Sequence, residues 1–202
     1  MRMEQATRTG VDNNLTIPRS NALRFHLRQQ TAEAHARLDA AVGEFDSRES
    51  YGRYLHALLA FREPIETALG RATLPDDFKP RDIAQAIRAD MIDLGIDPPG
   101  DTQPAARTSL NTPSAVLGTL YVLEGSALGA RLLYKRAQEL GFTAGFGARH
   151  LAQQAGDRES WPKFLALLER HPSSESEATA RASIAAFELA LDAFCVLESE
   201  TR

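Results

Sequence analysis

The stretch LGTLYVLEGSALGARLL, residues 117–133, lies inside a predicted helix of about 114–140 and carries three glycines. Each glycine in a helix interior costs about 1 kcal/mol relative to alanine. Gly118, Gly125 and Gly129 fall with Tyr121 on one face, because residues three or four apart lie above one another on a helix. Such a face lets another helix pack closely or lets a flat, bulky ligand reach the backbone, and glycines also permit a bend. The pattern alone leaves both explanations open.

On either side of this stretch the chain shows helical spacing from Ser20 onward, with no strand-like alternation and no internal repeat. We expect one all-α domain over 20–202 with about seven helices and a mobile tail over 1–19. A Pro-rich loop is expected at 95–113, and Pro64 should kink or divide the second helix. The predicted helices cover about 20–42, 50–69, 81–94, 114–140, 147–155, 160–171 and 174–199.

Composition limits the classes of function. The 202 residues carry a net charge of −4, which argues against nucleic-acid binding. The only cysteine, Cys195, cannot form an internal disulfide. The polar N-terminal segment has no apolar core of a signal peptide, and we expect no run of membrane-spanning length. These observations predict a cytoplasmic protein that interacts with neither membrane nor nucleic acid.

The first helix supplies a candidate ligand residue. We expect His35 on the buried face between Ala34 and Leu38, with Asp39 one turn further on the same face. A neutral imidazole can bind heme iron through one nitrogen while an acceptor such as Asp39 fixes the other. The competing explanation is a structural histidine paired with Asp39, and spacing alone favours that explanation.

Two further residues of that helix, Thr31 and Arg28, lie one and two turns before His35 on the same face. Arg28 is about 10 Å along the helix axis from His35, where a guanidinium suits a heme propionate. On the glycine-rich helix, the Tyr121 hydroxyl can serve the same purpose. A face free of bulk at Gly125 and Gly129 would leave room for dioxygen.

Five segments together resemble bacterial heme oxygenases over about residues 22–198. The most specific is the Y-V-x-E-G-S-x-L-G pattern, present as Tyr121 to Gly129. LRQQTAEAHARLDA resembles the family's proximal helix, and RADMIDLGI lies at a fitting distance before the distal helix. SWPKFLALLE, with the only tryptophan, and SIAAFELALDAF resemble the family's last helices.

This resemblance implies an all-α heme oxygenase-like fold with heme between the first and fourth helices and His35 on the iron. It implies cleavage of heme to biliverdin, carbon monoxide and ferrous iron, with dioxygen and with electrons from a ferredoxin or flavin reductase. A bacteriophytochrome is a conceivable biliverdin acceptor. The implied catalytic residues are Gly125, Ser126 and Gly129, and the implied heme contacts are Arg28, Thr31, Asp39, Gly118, Tyr121 and Ala130.

Three positions depart from the usual family pattern. Asp39 stands where glutamate is more frequent, and Ser126 stands where many members carry the aspartate that organises proton-delivering waters. Ser126 is the residue of one bacterial subgroup, and protons would then pass through waters held by Ser126 or by backbone carbonyls. Ala130 replaces a common second glycine, and its methyl group is expected either to narrow the distal space or to shift the heme.

Other functions compete with this one. A heme carrier would share His35 and the glycine helix, and a helical interaction module would bind no heme. A thiamin-salvage enzyme would need Cys195 in a cavity, although that residue is more simply a buried hydrophobe. A di-iron protein would need Glu-x-x-His pairs, which are absent from the sequence.

The remaining candidates are expected in structural positions: Glu63, Glu66 and Glu124 on helix surfaces or as caps, His26 off the apolar face, His56 at the core or its rim, and His150 and His171 in solvated positions.

Overall fold

The computed structural model describes residues 19–75, 78–99 and 110–199. Over these residues the chain forms eight α-helices, one 3-10 helix and no strand, so the predicted all-α class is confirmed. The expected tail lies outside the described residues except for Arg19, and so does most of the Pro-rich loop. The helices are α1 Arg19–Val42, α2 Arg48–Leu69, α3 Ala84–Asp93, α4 Pro113–Ser126, α5 Ala130–Glu139, α6 Arg149–Gly156, α7 Ser160–Glu169 and α8 Ser176–Ser199, with the 3-10 helix at Ser173–Glu175.

Local signals account for three of the helix ends. Ser47 caps α2 through a hydrogen bond from the Ser50 backbone N–H, and the Ser50 hydroxyl completes a capping box. Thr112 caps α4 in the same way, with a proline at the first turn. Gly43 ends α1 with φ of +60°, a conformation that side chains other than glycine rarely adopt.

Pro64 was expected to kink or divide the second helix. It does not divide it, because α2 continues through Pro64 to Leu69. Proline removes one hydrogen bond from the helix interior. The residues on both sides of it, Phe61 and Ile65, are buried in the core. Burying each such side chain contributes about 1.5–3 kcal/mol, which offsets the missing bond.

The predicted fourth helix is in fact two helices, α4 and α5, joined by a tight turn at residues 127–129. Backbone hydrogen bonds through this turn span three residues rather than four, as in the bonds from Leu128 N to Gly125 O and from Gly129 N to Ser126 O. The break falls within the segment whose glycines permit a bend. The chain changes direction just after Glu124, Gly125 and Ser126.

Helix α8 is the element on which α1, α4 and α2 all pack. One buried cluster joins α1, α4, α7 and α8, with Leu27, Leu120, Phe164 and Phe187 among its members. A second cluster joins α2, α3, α5 and α6 around Tyr51. The first of these clusters holds together α1 and α4, the helices that carry His35 and Gly125.

Gly118 belongs to the packing of α4 on α8. A Cβ built there would lie 2.6 Å from both the Ala182 Cβ and the Thr179 carbonyl oxygen. The Ser183 hydroxyl also donates to the Gly118 carbonyl at 3.1 Å. The expectation that Gly118 contacts a cofactor is therefore wrong, because its open side is filled by the α8 backbone.

We expect Gly118→Ala to destabilise the fold by about 1–3 kcal/mol, as overpacking does. Gly125→Ala is the matched control, because a Cβ there meets only the Trp161 ring at 3.7 Å, an ordinary contact. That variant should gain up to about 1 kcal/mol from helix propensity. Urea unfolding of the two variants measures the difference in their free energies of unfolding. Equal stability would contradict the close packing of Gly118 on α8.

Residues 113–139 are long and apolar enough, by composition, to cross a membrane, contrary to the expectation that no segment approaches this length. Half of the most apolar window is buried inside the fold. The segment is interrupted by the 127–129 turn and supplies core residues of α4, such as Leu117 and Leu120. Core helices of this kind share the composition of membrane spans.

Candidate functional site

His35 lies at the edge of α1 and not on its buried face. Its side chain is 62% exposed, whereas Thr31 and Ala34 are buried. His35 lies one turn after the buried Thr31, at the border of the stripe that faces α8, so its ring meets that helix only at an edge and is otherwise exposed. The expected burial of His35 is wrong for this reason.

The expected contact between His35 and Asp39 is present. His35 Nδ1 lies 2.9 Å from Asp39 Oδ2, one turn along α1. The imidazole also makes an edge contact with Phe187 of α8, with ring centroids 5.7 Å apart. Since Asp39 engages Nδ1, Nε2 is the nitrogen that is left for a metal.

Tyr121 joins α4 to α1. Burial raises the pKa of its hydroxyl, and hydrogen bonding with Thr31 and the charges of Arg24 and Arg28 act in the opposite direction. Thr31 is buried and donates its hydroxyl to the Leu27 carbonyl at 2.8 Å. Two cations, Arg24 and Arg28, therefore lie near the Tyr121 hydroxyl. Arg28 was expected there from the sequence, and Arg24 was not.

The face of α4 at Gly125 is bordered by an aromatic ring. Trp161 of α7 contacts this position, and its ring centroid lies 6.0 Å from that of Tyr121 and 5.7 Å from that of Phe164. The Arg24 guanidinium lies over the indole at 5.9 Å. The expectation of a face without bulk is therefore wrong at Gly125, where the indole lies. The sequence signal that could have identified Trp161 as a site residue is that it is the only tryptophan of the chain.

Three other predicted residues occupy different environments around the turn. Ser126 is exposed and donates its hydroxyl to the Leu123 carbonyl at 2.7 Å. Gly129 is exposed and precedes α5. Ala130 is 1% exposed and packs in the second buried cluster. The expectation that its methyl group narrows the distal space is wrong, because that methyl group lies in the core.

Behind Gly125 lies a buried polar cluster built on Glu66 and Glu124. Glu66 accepts hydrogen bonds from the backbone N–H of Ala84 at 2.9 Å and from Arg62 Nε at 2.6 Å, and so caps α3. Burial raises its pKa to about 7. Glu124 is 2% exposed and accepts from the Arg81 backbone N–H at 3.4 Å, and burial raises its pKa too. The capping expected of Glu66 is found, whereas Glu124 is not on the surface.

The raised pKa of Glu66 predicts a pH dependence of stability. Between its ordinary pKa of 4.5 and about 7, the folded chain keeps a proton that the unfolded chain loses. This contribution is complete below pH 4.5 and is lost as the pH rises through 7. The Glu66→Gln variant should lack this loss, so its free energy of unfolding relative to wild type should increase by about 1–3 kcal/mol between pH 5 and 8.

The measurement is urea unfolding across that pH range. Glu49→Gln is the matched control, because Glu49 lies on the same helix and its side chain is 82% exposed. A constant difference between wild type and Glu66→Gln at all pH values would disprove the assignment to this carboxyl group.

His150 is fully buried, contrary to the solvated position expected for it. Its Nδ1 lies 2.7 Å from Asp90 Oδ2, and Asp90 is itself 0% exposed. Burial lowers the pKa of this imidazole. The side chain of His171 is also largely buried, beside Thr179 and Glu175. His150 thus joins α6 to α3, and His171 joins the end of α7 to the start of α8.

Cys195 is exposed on α8, so the expected burial of this residue is wrong. A cavity of about 400 Å³ lies between the first turns of α1, the end of α7 and the start of α8. Neither His35, Gly125 nor Cys195 lines it. Across residues 19–75, 78–99 and 110–199, no group of three or more His, Cys, Asp or Glu side chains can hold a metal ion.

Comparison with known proteins finds similarity both in sequence and in fold. The chain is 36% identical over 166 residues to heme oxygenase PigA of Pseudomonas aeruginosa, which covers 79% of this chain and 83% of that protein. Its fold is similar to the crystal structure of NO- and CO-bound heme oxygenase from Neisseria meningitidis, with a TM-score of 0.69 and 24% identity over 88% of this chain and 92% of that one. No family model matches the chain.

Proposed function

The chain belongs to the bacterial heme oxygenase family and is a heme-degrading enzyme, and we propose that it holds heme between α1 and α4 with His35 as the iron ligand. The observation that carries this proposal is the geometry of His35. Its Nδ1 is fixed by Asp39 at 2.9 Å, and its side chain is 62% exposed. An oriented imidazole with a free Nε2 has the form of an axial ligand.

The aromatic contact of His35 and the cations near Tyr121 support this proposal. Phe187 supplies an aromatic edge beside the imidazole. Arg24 and Arg28 act on the Tyr121 hydroxyl at one end of the site, and guanidinium groups suit the carboxylates of two propionates. Gly125 is free of backbone clashes and is bordered by the Trp161 ring, so its backbone can be approached by a flat ligand beside that ring.

Heme, when bound, supplies both the iron that activates dioxygen and the porphyrin that is cleaved to biliverdin, with release of carbon monoxide and ferrous iron. The protein contributes orientation, access and protons. Asp39 holds the His35 ring, and Tyr121 with Arg28 would hold the propionate edge. Gly125 and Gly129 would let the backbone around the end of α4 approach the heme.

Ser126 is the residue that we assign to proton supply. Its exposed hydroxyl lies at the turn between α4 and α5 and donates to the Leu123 carbonyl at 2.7 Å. A hydroxyl group can donate one hydrogen bond and accept others. The Ser126 oxygen can therefore accept a hydrogen bond from a water beside Gly125 while its own O–H remains donated to the Leu123 carbonyl.

Dioxygen and external electrons are required by this family's reaction. We assign the electron supply to a ferredoxin or a flavin reductase and the biliverdin to a downstream acceptor such as a bacteriophytochrome. We also place the reaction in the cytoplasm, where a single exposed cysteine remains reduced.

Hemin titration tests the proposal. The purified protein should form a stoichiometric complex with a Soret band, and ascorbate or a reductase under air should convert this band to a biliverdin spectrum. A Soret band that persists through reduction under air would identify a heme carrier instead. The absence of any Soret band would disprove heme binding.

A further inference from the structure

Arg81 connects three parts of the fold that are distant in sequence. Its backbone N–H donates to Glu124 on α4, and its carbonyl oxygen accepts from Arg62 Nη2 at 2.9 Å. Its guanidinium forms an ion pair with Asp157 in the turn between α6 and α7. The Arg81 side chain is only 15% exposed, so this pair is less screened by solvent than a surface pair.

Asp157 also fixes the start of α7. Its Oδ1 accepts from the backbone N–H groups of Glu159 at 2.7 Å and Ser160 at 3.0 Å, and its Oδ2 accepts from the Ser160 hydroxyl at 2.6 Å. These bonds, together with Arg81, hold the pKa of this carboxyl group below its usual range. The direction of the first turn of α7 is therefore set by a carboxylate that Arg81 holds from the other side.

The next residue along α7 is Trp161, whose ring lies on Gly125. The ring atoms Cζ3 and Cη2 lie 3.7 and 4.0 Å from the position of a Cβ at Gly125. Glu124 and Gly125 are neighbours in the chain, as are Ser160 and Trp161. The bonds from Glu124 through Arg81 to Asp157 thus close a ring of contacts around the Trp161–Gly125 interface.

We propose that Arg81 is a positioning residue, which holds the Trp161 ring against Gly125 and so fixes the border of the glycine face on this side of α4. That this face borders heme rests on the proposed function, whereas the contacts that hold Trp161 are within the chain itself. A displaced Trp161 would leave heme free to rotate or tilt, and the meso carbon that is attacked would then become less uniform.

Trp161 is the only tryptophan of the chain, so its fluorescence reports on this interface alone. In the full chain without added hemin, Arg81→Met should shift the emission to longer wavelength and raise the acrylamide quenching constant roughly twofold, because α7 loses its anchor. Arg81→Lys keeps the charge but not the planar fork and should restore part of the wild-type quenching.

Arg88→Met is the matched control. Arg88 has a similar burial, pairs with Glu63 through two bonds of 2.6 and 2.7 Å, and donates to the Pro99 carbonyl. This variant loses an equivalent ion pair away from Trp161, and its fluorescence should equal that of wild type. Asp157→Asn is the second test variant, since it keeps an oxygen for the α7 backbone but removes the charge that Arg81 binds.

With hemin and a reductant, Arg81→Met and Asp157→Asn should yield a broader mixture of biliverdin isomers than wild type and Arg88→Met. Unchanged quenching and an unchanged isomer ratio in whichever of the two test variants keeps its far-UV circular dichroism would overturn the inference. If the fluorescence changes but wild type binds no hemin, the positioning of Trp161 stands and the proposed function fails. If wild type degrades hemin and the quenching is unaffected, the proposed function stands and the role of Arg81 fails.

Discussion

His35→Ala is expected to reduce heme degradation by at least about 100-fold, because loss of groups that merely support a metal ligand already costs about 10- to 100-fold. The variant should remain folded, since the side chain is 62% exposed and its pair with Asp39 lies at the surface, where such pairs contribute about 0–1 kcal/mol. The measurement is biliverdin formation from hemin under air, together with the position of the Soret band.

His56→Ala is the matched control, as His56 is a half-buried histidine on α2. Added imidazole should recover part of the lost activity in His35→Ala, because a free ligand can enter the space left by the side chain. Asp39→Asn should give an intermediate loss, since it weakens the orientation of the ring without removing it. Normal turnover by His35→Ala would refute the ligand assignment.

Asp90→Asn is expected to cause the largest loss of stability. Asp90 is fully buried on α3 and accepts from Arg149 N at 2.9 Å, Arg149 Nη1 at 3.1 Å, His150 N at 3.1 Å and His150 Nδ1 at 2.7 Å. Breaking a buried charge pair costs about 3–5 kcal/mol. For a chain of this size that lowers Tm by roughly 10 °C.

Urea unfolding at pH 8 measures this loss, with the exposed Asp192→Asn on α8 as the control. The contribution of His150 to stability should also fall as the pH drops through about 6.5, because burial lowers the pKa of His150 and the unfolded chain then takes up a proton that the folded chain rejects. A loss below about 1 kcal/mol in Asp90→Asn would show that the pair is not structural.

Features that depend on neighbours along one helix were predictable from the sequence. The spacing of apolar residues gave the all-α class and most helix positions, and the pairing of His35 with Asp39 follows from their four-residue separation. The glycines indicated that the fourth helix could bend, but the prediction was one helix over 114–140, and the structure divides it at residues 127–129. The resemblance then connected His35 and Gly125 to one family.

The remaining features depend on how the helices pack against one another, and the spacing of residues along the sequence does not say which helices meet. Gly118 and Gly125 are equivalent in a helical pattern, yet one meets the α8 backbone and the other meets only the Trp161 ring. The sequence determined which residues share a helix face. Only the tertiary structure decided which face was covered, and by what, because the partners of Gly118, Asp90 and Arg81 lie tens of residues away along the chain.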